Sequence, residues 1–235
     1  MPKRYAIIPT RADDQYKLLD LTKSLREIGV TPVTIQPPKA PRISFYGCMH
    51  LVERERNFSV WLNQGMNEVQ RLGGDSAIAA VVNDDLDLDS DGFEAFFQSI
   101  DGSDLAFMSG RGDTLVPSPL TPHLFALRPG AGLRMDENMV WWWNTDDFYH
   151  RAVEAGYDIA VVPELPYDHT SQNNPNGWWQ YPRAFRPWIR SDHDYFYERW
   201  GHLTPDHGGC YYTWWPEAGK LDDWVHDPKD YAVKA

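Results

Sequence analysis

"AIAAVVNDDLDLDSDGFEAFF", residues 77 to 97, decides how this chain is read. Ile78 to Val82 is a continuous apolar run bounded by polar residues, the pattern of a strand covered on both faces. It passes directly into Asp84, Asp85, Asp87, Asp89, Asp91 and Glu94, with Asp75 just upstream. Ser90 or Asp91 can cap a following helix from Gly92 to Ile100.

On the amino-terminal side, Tyr5 to Ile8 reads as a short buried strand ended by Pro9. Leu18, Leu21, Leu25 and Ile28 recur at helical spacing, and Gly29 can stop that helix. Pro32 to Ile35 predicts a second strand; Pro37, Pro38 and Pro41 then forbid regular structure. Trp61, Leu62, Met66, Val69 and Leu72 share one face of a helix from about Phe58 to Leu72, stopped by Gly73-Gly74. On the carboxyl-terminal side, the pattern predicts a strand at Leu124 to Leu127, a helix from Asp146 to Glu154 ended by Gly156, and a strand at Ile159 to Val162. Alternating strands and helices predict an α/β sheet with helices on its faces. Residues 173–235 differ, crowding Trp178, Trp179, Trp188, Trp200, Trp214, Trp215 and Trp224 into an aromatic-rich extension of the same domain.

The acidic stretch has three readings. Asp87, Asp89, Asp91 and Gly92 match the start of an EF-hand loop, but Gln98 stands where the bidentate Glu belongs and a strand leads in. Solvation and helix capping account for Asp87, Asp89 and Asp91. They account less well for Asn83-Asp84-Asp85, which emerge at the carboxyl end of a buried strand, where open α/β sheets place their ligands. Two adjacent acids there repel, and a divalent cation relieves the repulsion.

"AVVNDDLDLDSDGFEAFF" resembles the strand, NDD and capped helix of family 2 glycosyltransferases of the GT-A fold, a Rossmann-like, mixed-sheet fold that handles nucleotide-diphospho-sugars. "IIPTRADDQYKLLDLTKSL" is similar to the family's opening strand and helix, and "WLNQGMNEV" to its Asn-x-Gly helix. "NTDDFYHRAVEAGYDIAVVPELPYDHTS" resembles its acidic motif, Ala-Gly-Tyr turn, VPE strand and closing histidine. The resemblance spans about residues 5 to 171 and puts the transferase domain at 1–172.

The resemblance implies a metal-dependent, inverting, hexosyltransferase-type enzyme, with Asp85 and His169 as ligands of Mn2+ or Mg2+. Asn83 and Asp84 would lie near the ribose or sugar, with Pro9, Thr10, Arg11, Gln36 and Asn63 on the donor side. A hard cation on carboxylates neutralises a diphosphate leaving group. Inversion also needs a base, for which Asp146 and Asp147 are the candidates; their bland alternative is helix capping. The family's usual acid after strand two is replaced by Gln36-Pro37-Pro38, and Thr145 falls where its catalytic Asp is usual. Trp141, Trp142 and Trp143 precede Asp146 and Asp147, and indole faces stack well on sugar C–H surfaces, which puts Trp143 on the acceptor side. "YFYERWG", residues 195 to 201, resembles a Tyr-rich, Lys-Trp-Gly helix of phage and bacterial members, which puts Trp200 there as well.

The expected donor is therefore a UDP-, GDP- or dTDP-sugar, and the acceptor a protein, a glycan or modified DNA. A formal net charge of -12 gives no general reason for phosphate-backbone binding. The opening has a four-residue apolar run before Pro9, too short for a signal peptide, and no stretch nears the roughly 20 apolar residues of a membrane helix. The expected location is the cytoplasm of a bacterial or phage-infected cell, off the membrane. Cys48 and Cys210 have no metal or redox spacing and read as reduced thiols; Arg111-Gly112-Asp113 reads as a turn. The competing functions are a nucleotidyltransferase, disfavoured because "IIPTRADD" lacks a Gly-rich basic loop, and a non-enzymatic carbohydrate-binding protein, which leaves the acidic motifs and His169 without a shared purpose.

Overall fold

The computed structural model describes residues 2–10, 15–38, 47–54, 57–108, 124–140, 144–162, 165, 168–169 and 186–200. In chain order the elements are β1 (Arg4–Pro9), α1 (Gln15–Glu27), β2 (Thr31–Gln36), β3 (Met49–Val52), α2 (Phe58–Gly73), β4 (Ile78–Val82), β5 (Leu86–Asp87) and α3 (Ser90–Ser99). Then follow β6 (Leu105–Met108), β7 (Leu124–Leu127), a 3-10 turn at Pro129–Ala131, α4 (Asn144–Glu154), β8 (Ile159–Val162), β9 (Asp168–His169) and α5 (Arg186–Trp200).

Seven strands form one mixed sheet in the order β3-β2-β1-β4-β7-β6-β8, and β5 pairs with β9 in a separate two-stranded ribbon. β7 runs antiparallel to both its neighbours, β4 and β6, while β8 is parallel to β6. The continuous apolar run in β4 has the predicted cause. Ile78, Ala80 and Val82 join one core with α1 and α3, through Leu18, Leu21, Leu25, Phe93, Phe96 and Phe97. Ala79 and Val81 join the other with α2 and α4, through Trp61, Leu62, Met66, Val69, Phe148 and Ala152. Each large side chain so buried stabilises the fold by about 1.5–3 kcal/mol before entropy is set against it.

The glycine stops also have a physical basis. Gly29 has φ 75°; its N–H donates to Arg26 O at 3.0 Å, and Val30 N–H donates to Leu25 O at 3.0 Å. Gly156 closes α4 in the same way, with Tyr157 N–H donating to Ala152 O at 3.0 Å. This pairing satisfies the last helical carbonyls and needs a residue with positive φ. The glycine of the Asn-x-Gly helix serves packing instead, since a Cβ on Gly65 would lie 2.6 Å from Ile7 Cγ2. α2 therefore sits close on β1 and β2.

Several boundaries depart from the sequence reading. α3 begins at Ser90, and its cap is Asp89 rather than Ser90 or Asp91, because the Asp89 carboxylate accepts from Gly92 N–H at 2.8 Å. α4 begins at Asn144, two residues earlier than expected. β3, β5, β6 and β9 were not foreseen, and α5 extends well before Tyr195. Arg111-Gly112-Asp113, Cys210, residues 173–185 and residues 201–235 lie outside the described residues.

Candidate functional site

β1 lies between β2 and β4 and is parallel to both. The chain leaves β1 on one side to make β2 and enters the sheet on the other side at β4, so strand order reverses between β1 and β4. In open α/β sheets the crevice beyond the carboxyl ends of such a strand pair is the usual ligand site. Thr10 follows β1 there, and Asn83-Asp84-Asp85 follow β4.

The two segments are joined directly. Thr10 N–H donates to Ile35 O at 2.9 Å, which fixes the Thr10 backbone to β2. Its hydroxyl Oγ1 donates to Asp84 Oδ2 at 2.5 Å, and Thr10 is only 2% exposed. Asp84 and Asp85 form a turn that Leu86 N–H closes on Asn83 O at 3.3 Å. Immediately after this turn, β5 pairs antiparallel with β9, with Leu86 opposite His169. The backbone of His169 is thus brought within one residue of Asp85 in strand register. Gln36 is buried at the end of β2, and its carbonyl accepts from Glu53 N–H at 3.0 Å.

Strand direction carries the first turn of α4 to the same edge. β6 and β8 are parallel to β4, because β6 is antiparallel to β7 and β7 to β4. A helix that feeds β8 must end at the opposite edge and begin at the carboxyl edge. Asp146 and Asp147 therefore stand along the edge that carries Thr10 and Asp84.

The two adjacent acids have different surroundings. Asp147 is fully buried and fully engaged. Its Oδ2 accepts from Arg151 Nε at 2.7 Å, and its Oδ1 accepts from Trp200 Nε1 at 3.1 Å and lies 3.2 Å from Arg199 Nη1. Asp146 is 7% exposed. Burial pushes its carboxyl up to about 7; its own backbone N–H opposes the rise, and the negative charge of Asp147 adds to it. One carboxylate is occupied by partners on both oxygens, while burial disfavours the charged form of its neighbour.

The remaining candidates separate clearly. Pro9 ends β1, paired with Ile35. Asn63, expected on the donor side, spends its amide on the loop before α4. Its Nδ2 donates to Met135 O at 3.0 Å and Glu137 Oε1 at 2.8 Å, and its Oδ1 accepts from Met135 N–H at 2.8 Å. It braces that loop, because α2 and residues 133–140 run side by side. Trp200, expected on the acceptor side, donates its N–H to Asp147, and its ring lies 4.8 Å from that of His150 between centroids. Arg11, Trp143 and the side chain of His169 lie outside the described residues.

Among the described residues no group of three His, Cys, Asp or Glu side chains is gathered as a metal cage. The EF-hand-like reading loses Asp89, whose carboxylate is committed to capping α3. Sequence reasoning missed Arg151, Arg199 and Asp136 as supports of the edge. The i,i+4 spacing of Asp147 and Arg151 was a readable signal; the reach of Arg199 from α5 had none.

No protein-family model matches the chain, and no curated protein matches it. Among solved structures, it is similar to a hypothetical transferase from Thermus thermophilus at 12% identity, over 54% of this chain and 66% of that one, with a TM-score of 0.37. This chain thus spans just under two thirds of that neighbour. It is also similar to 2-C-methyl-D-erythritol 4-phosphate cytidylyltransferase from the same organism at 13% identity, over 70% of this chain and 90% of that one, with a TM-score of 0.46. Both neighbours are described as transferases. No helix among the described residues is long and apolar enough to cross a membrane.

Proposed function

We propose that the chain is an inverting glycosyltransferase of the GT-A type, moving a sugar from a nucleotide-sugar to an acceptor hydroxyl with Asp146 as base. The observation that supports this reading best is the shared edge: Thr10 and Asn83-Asp84-Asp85 at the reversal of strand order, and Asp146, whose carboxyl burial pushes up to about 7, on the same edge.

In this reading the diphosphate and ribose of the donor occupy the crevice between β1 and β4. Thr10 holds the Asp84 carboxylate by its hydroxyl, so that Asp84 meets the donor in one orientation. Asp85, with the His169 backbone brought near it by the β5–β9 register, would hold a divalent cation, the carboxylate being the donor that suits Mg2+ or Mn2+. That ion, when bound, supplies Lewis-acid neutralisation of the diphosphate. The acceptor hydroxyl gives its proton to Asp146 while its oxygen forms a bond to the anomeric carbon. The bond from that carbon to the diphosphate oxygen breaks, and its electron pair leaves with the nucleoside diphosphate. Attack from the face opposite the leaving group inverts the centre. A base with its carboxyl pushed up to about 7 is about half ionised at neutral pH and has useful basicity there.

A thermal-shift series tests the reading, using nucleoside diphosphates, their sugars and nucleoside triphosphates, each with and without Mn2+. A nucleotide-sugar with Mn2+ at a hundred times its Kd stabilises the folded chain by about 2.7 kcal/mol. Preferential stabilisation by a triphosphate would transfer the assignment to a nucleotidyltransferase. Stabilisation by free sugars alone would make the chain a carbohydrate-binding protein.

A further inference from the structure

We propose that Arg199 and Trp200, at the end of α5, are positioning residues: by holding Asp147 they fix the first turn of α4 and with it the carboxyl group of Asp146. The inference rests on the reading of Asp146 as the reacting group and extends it to a segment remote in sequence.

An 11-residue helix is too short to persist by itself in water, so its tertiary contacts decide whether its first turn stays ordered. Those contacts converge on Asp147. From α5, Trp200 Nε1 donates to Oδ1 at 3.1 Å, Arg199 Nη1 lies 3.2 Å from the same oxygen, and the Trp200 ring lies on His150. Arg199 Nη1 also donates to Asp136 Oδ2 at 2.7 Å, and Tyr195 Oη donates to the same Asp136 oxygen at 3.0 Å. Asp192, fully buried, accepts from Val140 N–H at 2.8 Å. α5 therefore grips both α4 and the loop that leads into it.

Charge gives the arrangement a second consequence. Asp147 stands next to Asp146 and is compensated by Arg151 from its own helix and by Arg199 from α5. Among the described residues, the other titratable groups at this junction are Asp136, bound to Arg199 and to Tyr195, the buried Asp192, and His150, whose ring lies 4.8 Å from that of Trp200 between centroids. Withdrawing Arg199 leaves Asp147 less compensated, and its field then opposes ionisation of Asp146 more strongly.

The test needs no substrate. With 13C-labelled aspartate in the full chain, the Asp146 carboxyl carbon is assigned by its loss in Asp146→Asn and titrated by NMR. Arg199→Met is expected to raise the Asp146 midpoint by about half a pH unit, and Arg199→Lys to restore it. Trp200→Phe is expected to speed amide exchange over Asp147 to His150 at least about tenfold, while Arg71→Met on α2 changes neither reading. A midpoint within about 0.2 of wild type in Arg199→Met, or unchanged exchange in Trp200→Phe, overturns the proposal. If the midpoint moves but Asp146→Asn transfers sugar normally, the base assignment fails and the positioning role stands.

Discussion

The hydroxyl of Thr10 donates to the carboxylate of Asp84 at 2.5 Å, tying the end of β1 to the turn after β4 across the point where strand order reverses. The bond spans residues 74 positions apart in sequence, so only the parallel pairing of the two strands can bring it about. It fixes one oxygen of Asp84 and leaves the carboxylate oriented rather than free to rotate.

Thr10→Val removes that donor while keeping the side chain's branched shape. A hydrogen bond to a charged group contributes about 1.5–3 kcal/mol. Nucleotide-sugar binding in the presence of Mn2+ should therefore weaken at least about tenfold by calorimetry. Unchanged affinity would mean that the orientation of Asp84 does not serve the donor.

Asp85→Ala and Asp89→Ala separate a ligand from a cap. Asp85 lies in the turn that the β5–β9 ribbon brings beside His169, and its loss should abolish metal-dependent nucleotide binding. Asp89 caps α3, so its loss should lower stability by about 1 kcal/mol and leave binding intact. Calorimetric titration and melting curves of both variants check this. Equal loss of binding in the two would revive the calcium-loop reading.

Gly65→Ala probes the scaffold under the site. The added Cβ would stand 2.6 Å from Ile7 Cγ2 and 3.0 Å from Ile35 Cδ1, so α2 must lift off β1 and β2 or those side chains must leave their rotamers. Overpacking of this kind costs about 1–3 kcal/mol, partly offset by the better helix propensity of Ala. Chemical denaturation should show a net loss of about 1 kcal/mol or more.

What the sequence disclosed and what it hid follow a physical division. β4, α1 and α2 were legible because burial on two faces or one leaves a periodic record in the residues themselves. β5 and β9 are two-residue strands whose pairing exists only in the assembled chain, so no local pattern could announce them. β6 is a four-residue apolar run, too short to distinguish by periodicity from a buried helical turn. Asn83-Asp84-Asp85 and Asp146-Asp147 stand out in the sequence because both follow apolar or aromatic runs, and strand direction then sets them along one edge of the sheet. The division of roles between Asp146 and Asp147 was not, because it depends on Arg199 and Trp200 arriving from α5.

The two acids give the sharpest expectation. Asp146 titrates near 7 in the folded chain, against an ordinary value of 3.8. Between those values the folded chain keeps a proton that the unfolded chain has released, so this group's contribution to stability falls as pH rises through that window. Asp146→Asn removes the dependence: it should melt with wild type at pH 4 and at or above wild type at pH 8. Its turnover should drop at least about a hundredfold with donor affinity nearly kept, as for a lost general base. Wild-type turnover should itself rise with pH through about 7 as Asp146 ionises. Asp147→Asn has the opposite signature, because it strips the charge that Arg151 and Arg199 pair with in a buried site. It should cost about 1.5–3 kcal/mol of stability, the scale of lost hydrogen bonds to a charged group, since Arg151 and Arg199 are themselves partly exposed. Melting curves at both pH values, with transfer rates for each variant, decide the matter. A pH 8 melting temperature for Asp146→Asn well below wild type would show that Asp146 is a structural anion, and would remove it as the base.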